Sequence, residues 1–289
     1  EREEFHVRRS IAGHAKKIAI IDGGYADYAI ERGLIEGAGY TLQGFARAGD
    51  DFPGGIGLAQ GAAGMLVRWS VIGAAEMDAL PDLRAIVRYG VGYDNVDISA
   101  ATARGIPVAN VTRYANESVT DHTLMLLLAG FRGLPMASGA LLERFARPPW
   151  YEMTELRNAT LGIVGLGNIG GRLAQKAGPL FQRVLACDPY QPEAQFQRTG
   201  ATRVDLDTLL RESHAISLHC NLTPETRHLI DSAAFRKMAQ WPVLVNTARG
   251  PVIDEAALGE ALASNRLRGA GLDVFEEEPL SPSGRALLE

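Results

Sequence analysis

The sequence is short of most features that would take it out of the ordinary globular class. It holds only 2 cysteines in 289 residues, too few for the disulfide framework of a small secreted domain. Cys187 and Cys220 both close apolar runs, and they read as buried free thiols of a cytoplasmic protein, not as a disulfide or a metal pair. The longest apolar run, Leu124 to Ala129, falls far short of the ~20 residues of a membrane-spanning helix. Positive charge is not in excess. There are 29 Lys and Arg against 34 Asp and Glu, a formal net charge of −5, which gives no electrostatic ground for a nucleic-acid partner. No apolar segment of the signal-peptide kind follows the charged opening Glu1-Arg-Glu-Glu. The chain does not open on Met, which leaves room for a removed leader. Solenoid-length repeats and low-complexity stretches are missing as well.

What is present is an alternation. Hydrophobic residues make up 46% and charged residues 22%, a soluble globular composition, and the 32 glycines suit many strand-to-helix turns. The length is large for one core, so two domains are expected. Apolar strand-like runs alternate with helical patterns from Ile18 to Phe275, the mark of an α/β protein with parallel sheets. In the first part, strands are expected at Lys17–Ile21, Gly39–Gly44, Gly64–Val67, Ala85–Arg88 and Val108–Asn110. Helices such as Ala26–Glu36 and Ser99–Arg104 fall between them. In the second part, strands are expected at Thr160–Val164, Arg183–Cys187, Ala215–His219, Val243–Asn246 and Gly269–Asp273. Two doubly wound parallel-sheet units in series account for this better than one large sheet. The boundaries are set at 1–112 and 113–280, with 281–289 starting a return to the first unit and 1–9 a polar tail. Between the units a long helix is expected over Glu117–Arg132, with Asn116 or Ser118 as its N-cap. Its broad apolar face leaves two readings open, core burial or a subunit interface. His122 on this helix reads as structural rather than catalytic.

The most informative run is Leu161-Gly-Ile-Val-Gly165-Leu-Gly167-Asn-Ile-Gly170. An apolar strand leads into G-x-G-x-x-G, and a helix-period segment follows with Ile169, Leu173 and Ala177 on one face, the context in which the pattern has meaning. Gly165 allows a tight turn, Gly167 lets backbone approach a pyrophosphate, and Gly170 lets helix and strand pack closely. The phosphates then meet the exposed N–H groups and the positive end of the helix dipole. Asp188 closes the next apolar strand, near the usual spacing of about 20 residues for a carboxylate that accepts the ribose hydroxyls. It repels a 2′-phosphate, and Pro189, Tyr190 and Gln191 offer no arginine to rescue one, so the pattern reads NAD over NADP.

Two further clusters follow. Val243-Leu-Val-Asn246-Thr247-Ala248-Arg249-Gly250 is a strand opening into a polar turn. Ligands of such folds bind beyond the carboxyl ends of strands, where Arg249 either grips a substrate carboxylate bidentately or pairs a surface acid. In Gly269-Ala-Gly-Leu-Asp273-Val-Phe-Glu276-Glu277-Glu278-Pro279, Asp273 ends a strand within reach of a cofactor. Three successive glutamates are not all catalytic, and a charge run is usually a solvated surface.

With these runs in view, the chain resembles the NAD-dependent D-2-hydroxyacid dehydrogenases from about Gly64 to Pro279. Four motifs carry the resemblance: Tyr89-Gly-Val-Gly-Tyr-Asp-Asn-Val-Asp97, the glycine fingerprint, Leu218-His-Cys-Asn-Leu-Thr-Pro-Glu-Thr226, and Asn246–Gly250 followed by Asp273–Pro279. The resemblance implies a flavodoxin-like substrate domain and a Rossmann NAD-binding domain, in a homodimer. The catalytic arginine falls on Arg249 and the catalytic glutamate, the one just before the proline, on Glu278. Val91 and Gly92 match the turn whose N–H groups hold the substrate carboxylate, and Arg68 sits where some members contact substrate. Asn168 and Ile169 match the pyrophosphate turn, Asp188 the ribose contact and Asp273 the carboxamide contact. Leu218, His219, Cys220, Thr247, Ala248 and Arg249 line the cofactor. The implied reaction passes a hydride between the nicotinamide and a small 2-keto or 2-hydroxy acid of D configuration. A histidine paired with Glu278 moves the proton, its pKa raised by that carboxylate, and Arg249 stabilises the developing oxyanion.

One departure bears on activity. The family's histidine follows the Glu-Pro motif, and none of His6, His14, His122, His214, His219 or His228 stands in that context. The expectation is a chain cut before that histidine, with Ser281 to Glu289 as the approach to it, and little turnover from these 289 residues alone. A second departure is Arg113-Tyr-Ala-Asn-Glu-Ser-Val-Thr-Asp-His122, which replaces the Pro-Gly-rich turn of phosphoglycerate and glycerate enzymes. It looks closer to the branch that includes the C-terminal-binding corepressors. The alternative function is therefore an NAD-sensing dimeric binding protein with little turnover. Nothing in the sequence supplies a peptide-docking segment, and the identity of the hydroxy acid stays open.

Overall fold

The computed structural model describes residues 16–23, 25, 27–44, 55–135, 137–138 and 154–279. The expected tail 1–9, the return segment 281–289 and Ala26 lie outside them. The chain divides into two compact units, Glu1–Thr112 and Arg113–Glu289.

Unit 1 carries β1 (Lys17–Ile20), α1 (Ala29–Gly37), β2 (Thr41–Gln43), β3 (Gly64–Val67), α2 (Ala74–Asp78), β4 (Ala85–Arg88), α3 (Ile98–Ala103) and β5 (Val108–Asn110). The strands form one parallel sheet in the order β2-β1-β3-β4-β5, registered by Ile18 opposite Gly64 and Met65 opposite Ile86. Met65, Val67, Met77, Leu80, Ile86, Ala101 and Ile106 make the main core on one face. Helix α1 opens at Ala29, three residues later than expected. Asp27 Oδ1 accepts the Ala29 N–H at 3.0 Å and fixes the start there.

Unit 2 carries α4 (Asn116–Phe131), β6 (Thr160–Val164), α5 (Asn168–Ala177), β7 (Arg183–Cys187), α6 (Glu193–Thr199), β8 (Thr202–Arg203), α7 (Leu206–Glu212), β9 (Ala215–Leu218), α8 (Ser232–Lys237), β10 (Val243–Asn246), α9 (Glu255–Ala263) and β11 (Gly269–Leu272). The parallel order is β11-β10-β9-β6-β7-β8. Strands β6, β9 and β10 are buried at every position, as expected for a parallel sheet covered on both faces. Alternate residues still serve opposite sides. Leu161, Ile163, Val243 and Val245 pack with Leu127, Phe131, Leu173 and Phe196, whereas Val164, Ile216 and Leu244 pack with Leu209, Phe235 and Leu258.

Four helices start where an aspartate satisfies an orphan N–H. Asp97, Asp205, Asp231 and Asp254 accept from Ala100, Thr208, Ala234 and Ala257 at 2.7–3.0 Å, opening α3, α7, α8 and α9. The expected cap of α4 is a correction. Its N-cap is Ala115, with no side-chain bond. Asn116 is already helical, and Ser118 Oγ donates to the Ala115 carbonyl at 3.2 Å. Glu117 in the first turn, held by Arg172 and Lys176 at 2.6 Å each, supplies the negative charge that the helix dipole favours there. No helix among the described residues is long and apolar enough to cross a membrane.

In each sheet the chain reverses its direction of winding once, between β1 and β3 and between β6 and β9. Ligands of open α/β sheets bind at such points.

Candidate functional site

In unit 2 the glycine run occupies the β6/β9 switch. Gly165 takes φ +90° and lies flat on the main chain of His219 and Cys220, where a Cβ would approach Cys220 N to 2.7 Å. A Cβ on Gly170 would come within 2.0 Å of the Gly165 carbonyl oxygen, so α5 rests on the turn through bare backbone. Gly167 faces open space, with nothing within 4 Å of a Cβ. That space belongs to a cavity of ≈ 320 Å³ whose wall includes Arg113, Asn168, Arg172 and Arg198. No side chain caps α5, so the N–H groups of Asn168 and Ile169 meet no helical acceptor. These features fit a dinucleotide pyrophosphate: uncapped donors, a dipole end and a surface cleared of side chains.

Asp188 is bonded onto the same turn. Its Oδ2 accepts the Leu166 N–H at 2.7 Å and its Oδ1 the Tyr190 N–H at 2.9 Å. A carboxylate offers about four lone-pair sites, so acceptor capacity is left for hydroxyls. The sequence reading overlooked Arg203. The two-residue strand β8 brings its guanidinium to the main-chain carbonyls of Asp188 at 3.2 Å and Gln191 at 3.0 Å, with Glu193 3.7 Å away. Its Nη2 group is thereby engaged by the strand end.

Leu218 ends β9 fully buried. His219 Nε2 lies 2.8 Å from Ser217 Oγ, and burial pushes its imidazole down to about 4. His219 is therefore neutral near pH 7 and unsuited to proton transfer there. The thiols of Cys187 and Cys220 are free, and burial raises both, Cys220 to about 11.

At the end of β10, buried Asn246 staples the following turn: Nδ2 donates to the Arg249 carbonyl at 2.9 Å and Oδ1 accepts the Ala248 N–H at 3.0 Å. This fixes the backbone of Thr247, Ala248 and Arg249, and the half-buried Arg249 side chain donates to the Ala248 carbonyl at 2.7 Å. Gly250 fits flush against the Phe275 main chain, which ties the turn to the acidic loop. There Glu278 Oε1 accepts the Phe275 N–H at 3.0 Å. Among the described residues, the imidazole–carboxylate contact recorded at this loop is His228 Nε2 with Glu276 Oε1, at 2.5 Å, and not one with Glu278. Asp273 follows β11, its N–H bonded to the Asn246 carbonyl at 3.0 Å, and its Oδ1 lies 3.2 Å from His122 Nε2.

In unit 1, the turn after β4 is pinned from β5. The Gly90 carbonyl accepts the Val111 N–H at 3.1 Å, and the Val91 carbonyl accepts from Asn110 Nδ2 at 2.7 Å. In a trans peptide the N–H points opposite to the C=O. Pinning both carbonyls to β5 therefore turns the N–H groups of Val91 and Gly92 away from β5. Asn110 was missed by the sequence reading, although a polar residue ending an apolar strand could have flagged it. Asp22, at the end of β1, is 8% exposed and accepts the N–H groups of Arg68, Trp69 and Ser70 at 2.5–2.7 Å. The Arg68 guanidinium lies over the rings of Tyr25 and Trp69, 4.9 and 4.7 Å from their centroids. Nearby, Tyr89 donates to Glu31 at 3.0 Å.

A glycine turn at the switch of a parallel sheet, facing an acidic strand end, defines a dinucleotide-binding α/β protein. The model of the D-isomer specific 2-hydroxyacid dehydrogenase NAD binding domain matches residues 124–288, and the chain belongs to this family. It is 42% identical over 223 residues to D-3-phosphoglycerate dehydrogenase of Mycobacterium bovis, covering 77% of this chain and 42% of that protein. It is 40% identical over 215 residues to glyoxylate reductase of Korarchaeum cryptofilum, covering 73% of this chain and 65% of the relative. The chain thus spans 42–65% of the length of these two curated relatives. A solved glyoxylate reductase from Paecilomyes thermophila superposes with a TM-score of 0.80 at 27% identity, covering 94% of this chain and 85% of that one.

The buried His219 carries a consequence for stability. In the unfolded chain a histidine titrates near ~6.5, whereas the folded His219 stays neutral down to about 4. Protons therefore bind the unfolded state first, and stability that is complete above about pH 6.5 is lost as pH falls toward 4. His214, also pushed down by burial, adds to the same slope. His219→Gln is expected to reduce the dependence of unfolding free energy on pH in this window, by up to about 1.4 kcal/mol per pH unit. Urea unfolding between pH 7 and 5 checks this, and an unchanged slope would contradict a buried neutral imidazole.

Proposed function

We propose that the chain serves an oxidoreductase that passes a hydride between NAD(H) and a small 2-keto or 2-hydroxy acid of D configuration. The observation that carries this reading is the uncapped start of α5 behind Gly165–Gly170, with Asp188 bonded onto the same turn, in a member of this family. The bound nicotinamide supplies or takes up the hydride. The N–H groups of Asn168 and Ile169 hold the pyrophosphate and Asp188 the adenosine ribose. Leu218, His219, Cys220, Thr247 and Ala248 line the dinucleotide, and Asp273 accepts from the carboxamide. Arg249 grips a substrate carboxylate and stabilises charge on the reacting oxygen, while Val91 and Gly92 offer a two-donor cradle, with Arg68 beside them. Glu278, anchored by the Phe275 N–H, is the carboxylate proposed to pair with a proton-donating imidazole. Relatives named for 3-phosphoglycerate and glyoxylate support a short 2-oxygenated acid as substrate. A homodimer is proposed on the family resemblance alone.

Cofactor choice is assigned to Asp188. NAD(H) is expected to bind at least tenfold more tightly than NADP(H), and Asp188→Ala is expected to narrow the gap by removing both a hydroxyl acceptor and a repulsive charge. Losing a charge-assisted hydrogen bond costs about 1.5–3 kcal/mol. Fluorescence titration measures this, and equal affinities in the unmutated protein would contradict the assignment.

Turnover is assigned to Arg249. In the intact gene product, Arg249→Lys keeps the charge and loses the planar fork, so kcat/KM for 2-keto acids with NADH is expected to fall about a hundredfold at a nearly constant melting temperature. A scan of glyoxylate, hydroxypyruvate and pyruvate reads this. Near-normal reduction by Arg249→Lys of every keto acid the unmutated protein accepts would make the arginine structural.

A further inference from the structure

Helix α4 meets the proposed nicotinamide end of the site at two successive residues. Strands β10 and β11 run side by side with Asn246 opposite Leu272, so Thr247 and Asp273 emerge as neighbours from the two strand ends. Each is met from α4. His122 Nε2 lies 3.2 Å from Asp273 Oδ1, and Thr123 Oγ1 lies 2.9 Å from Thr247 Oγ1.

The hydroxyl protons can be placed. Thr123 is fully buried, and its hydroxyl donates to the Val119 carbonyl at 2.7 Å. A hydroxyl has one proton, so Thr123 accepts from Thr247 and Thr247 is the donor between them. Thr247 then presents only lone pairs to anything beyond it. His122 Nε2 contacts Asp273 at Oδ1, 3.2 Å away, and a carboxylate is acceptor-only at both of its oxygens. Both strand-end groups are thereby held as acceptors, suited to the N–H donors of a primary amide and opposed to a carboxylate.

We propose that His122 and Thr123 are positioning residues for the nicotinamide end of the cofactor, His122 by orienting Asp273 and Thr123 by fixing the Thr247 hydroxyl as an acceptor. This rests on the reading that Asp273 meets the carboxamide. The His122–Asp273 pair is half exposed and worth little to stability. Its contribution is orientation, which a ligand lacking the nicotinamide does not sense.

The test is calorimetric titration of the protein with NAD, ADP-ribose (which ends before the nicotinamide) and deamido-NAD (which carries a carboxylate in place of the amide). His122→Ala is expected to weaken NAD about fivefold and to leave ADP-ribose unchanged. His122→Gln, whose amide N–H can reach the same oxygen, is expected to restore most of the loss. Thr123→Val, close in shape, releases the Thr247 proton toward the ligand and is expected to narrow the preference for NAD over deamido-NAD. Equal weakening of NAD and ADP-ribose in His122→Ala overturns the positioning role, as does no change in either. An unchanged preference in Thr123→Val overturns the assignment for Thr123. Asp273→Asn separates the two levels. If it alters NAD relative to ADP-ribose while His122→Ala does not, only the present inference fails. If the unmutated protein binds NAD and ADP-ribose alike and Asp273→Asn changes neither, the carboxamide reading fails and this inference with it.

Discussion

A Cβ at position 170 would stand 2.0 Å from the Gly165 carbonyl oxygen, and the rest of unit 2 is arranged around that contact. Because nothing but backbone separates α5 from the end of β6, the helix start is aimed over the sheet edge with its donors unspent. Gly165 in turn lies against the main chain of His219 and Cys220, so the turns after β6 and β9 form one surface. The carboxylate at the end of β7 then reaches the Leu166 N–H. Three strand ends are thus coupled through a turn that tolerates no side chain at two of its positions. Backbone atoms cannot yield as a flexible side chain can, so the cost of enlarging Gly170 falls on the packing of α5 against β6.

The second recurring device is the use of one hydrogen bond to settle the direction of another group. Asn246 bonds forward twice and fixes the turn that carries Arg249. Asn110 and the Val111 N–H fix two carbonyls and so turn two amides away from β5. Thr123 spends its proton on Val119 and so determines which way Thr247 donates. In each case a supporting residue defines the direction of another group. Such preorganisation avoids rearrangement when a ligand arrives.

Most strands were legible because the central ones are apolar on both faces: Gly64–Val67, Ala85–Arg88, Thr160–Val164 and Val243–Asn246 coincide with their expected bounds. The fingerprint was legible because its glycines answer to backbone geometry and not to partners far away in sequence. What escaped was of two kinds. Strand β8 has two exposed residues and no hydrophobic period to betray it, so the approach of Arg203 to Asp188 could not be foreseen. The cap of α4 was misplaced because the helix begins at Asn116 behind Ala115, with no side-chain cap, and its first turn instead carries Glu117 paired with Arg172 and Lys176 of another helix, a tertiary contact that cap preferences do not contain. The contact of His122 with Asp273 escaped because the two are far apart in sequence and become neighbours only when β11 closes the sheet beside α4.

The central claim is that the dinucleotide sits on the α5 start at the β6/β9 switch. A crystal structure of the protein with NAD tests it most directly. Pyrophosphate oxygens are expected within hydrogen-bond distance of the Asn168 and Ile169 N–H groups, with the adenosine ribose on Asp188. Density for the nucleotide elsewhere on unit 2, with those N–H groups facing solvent, would contradict it.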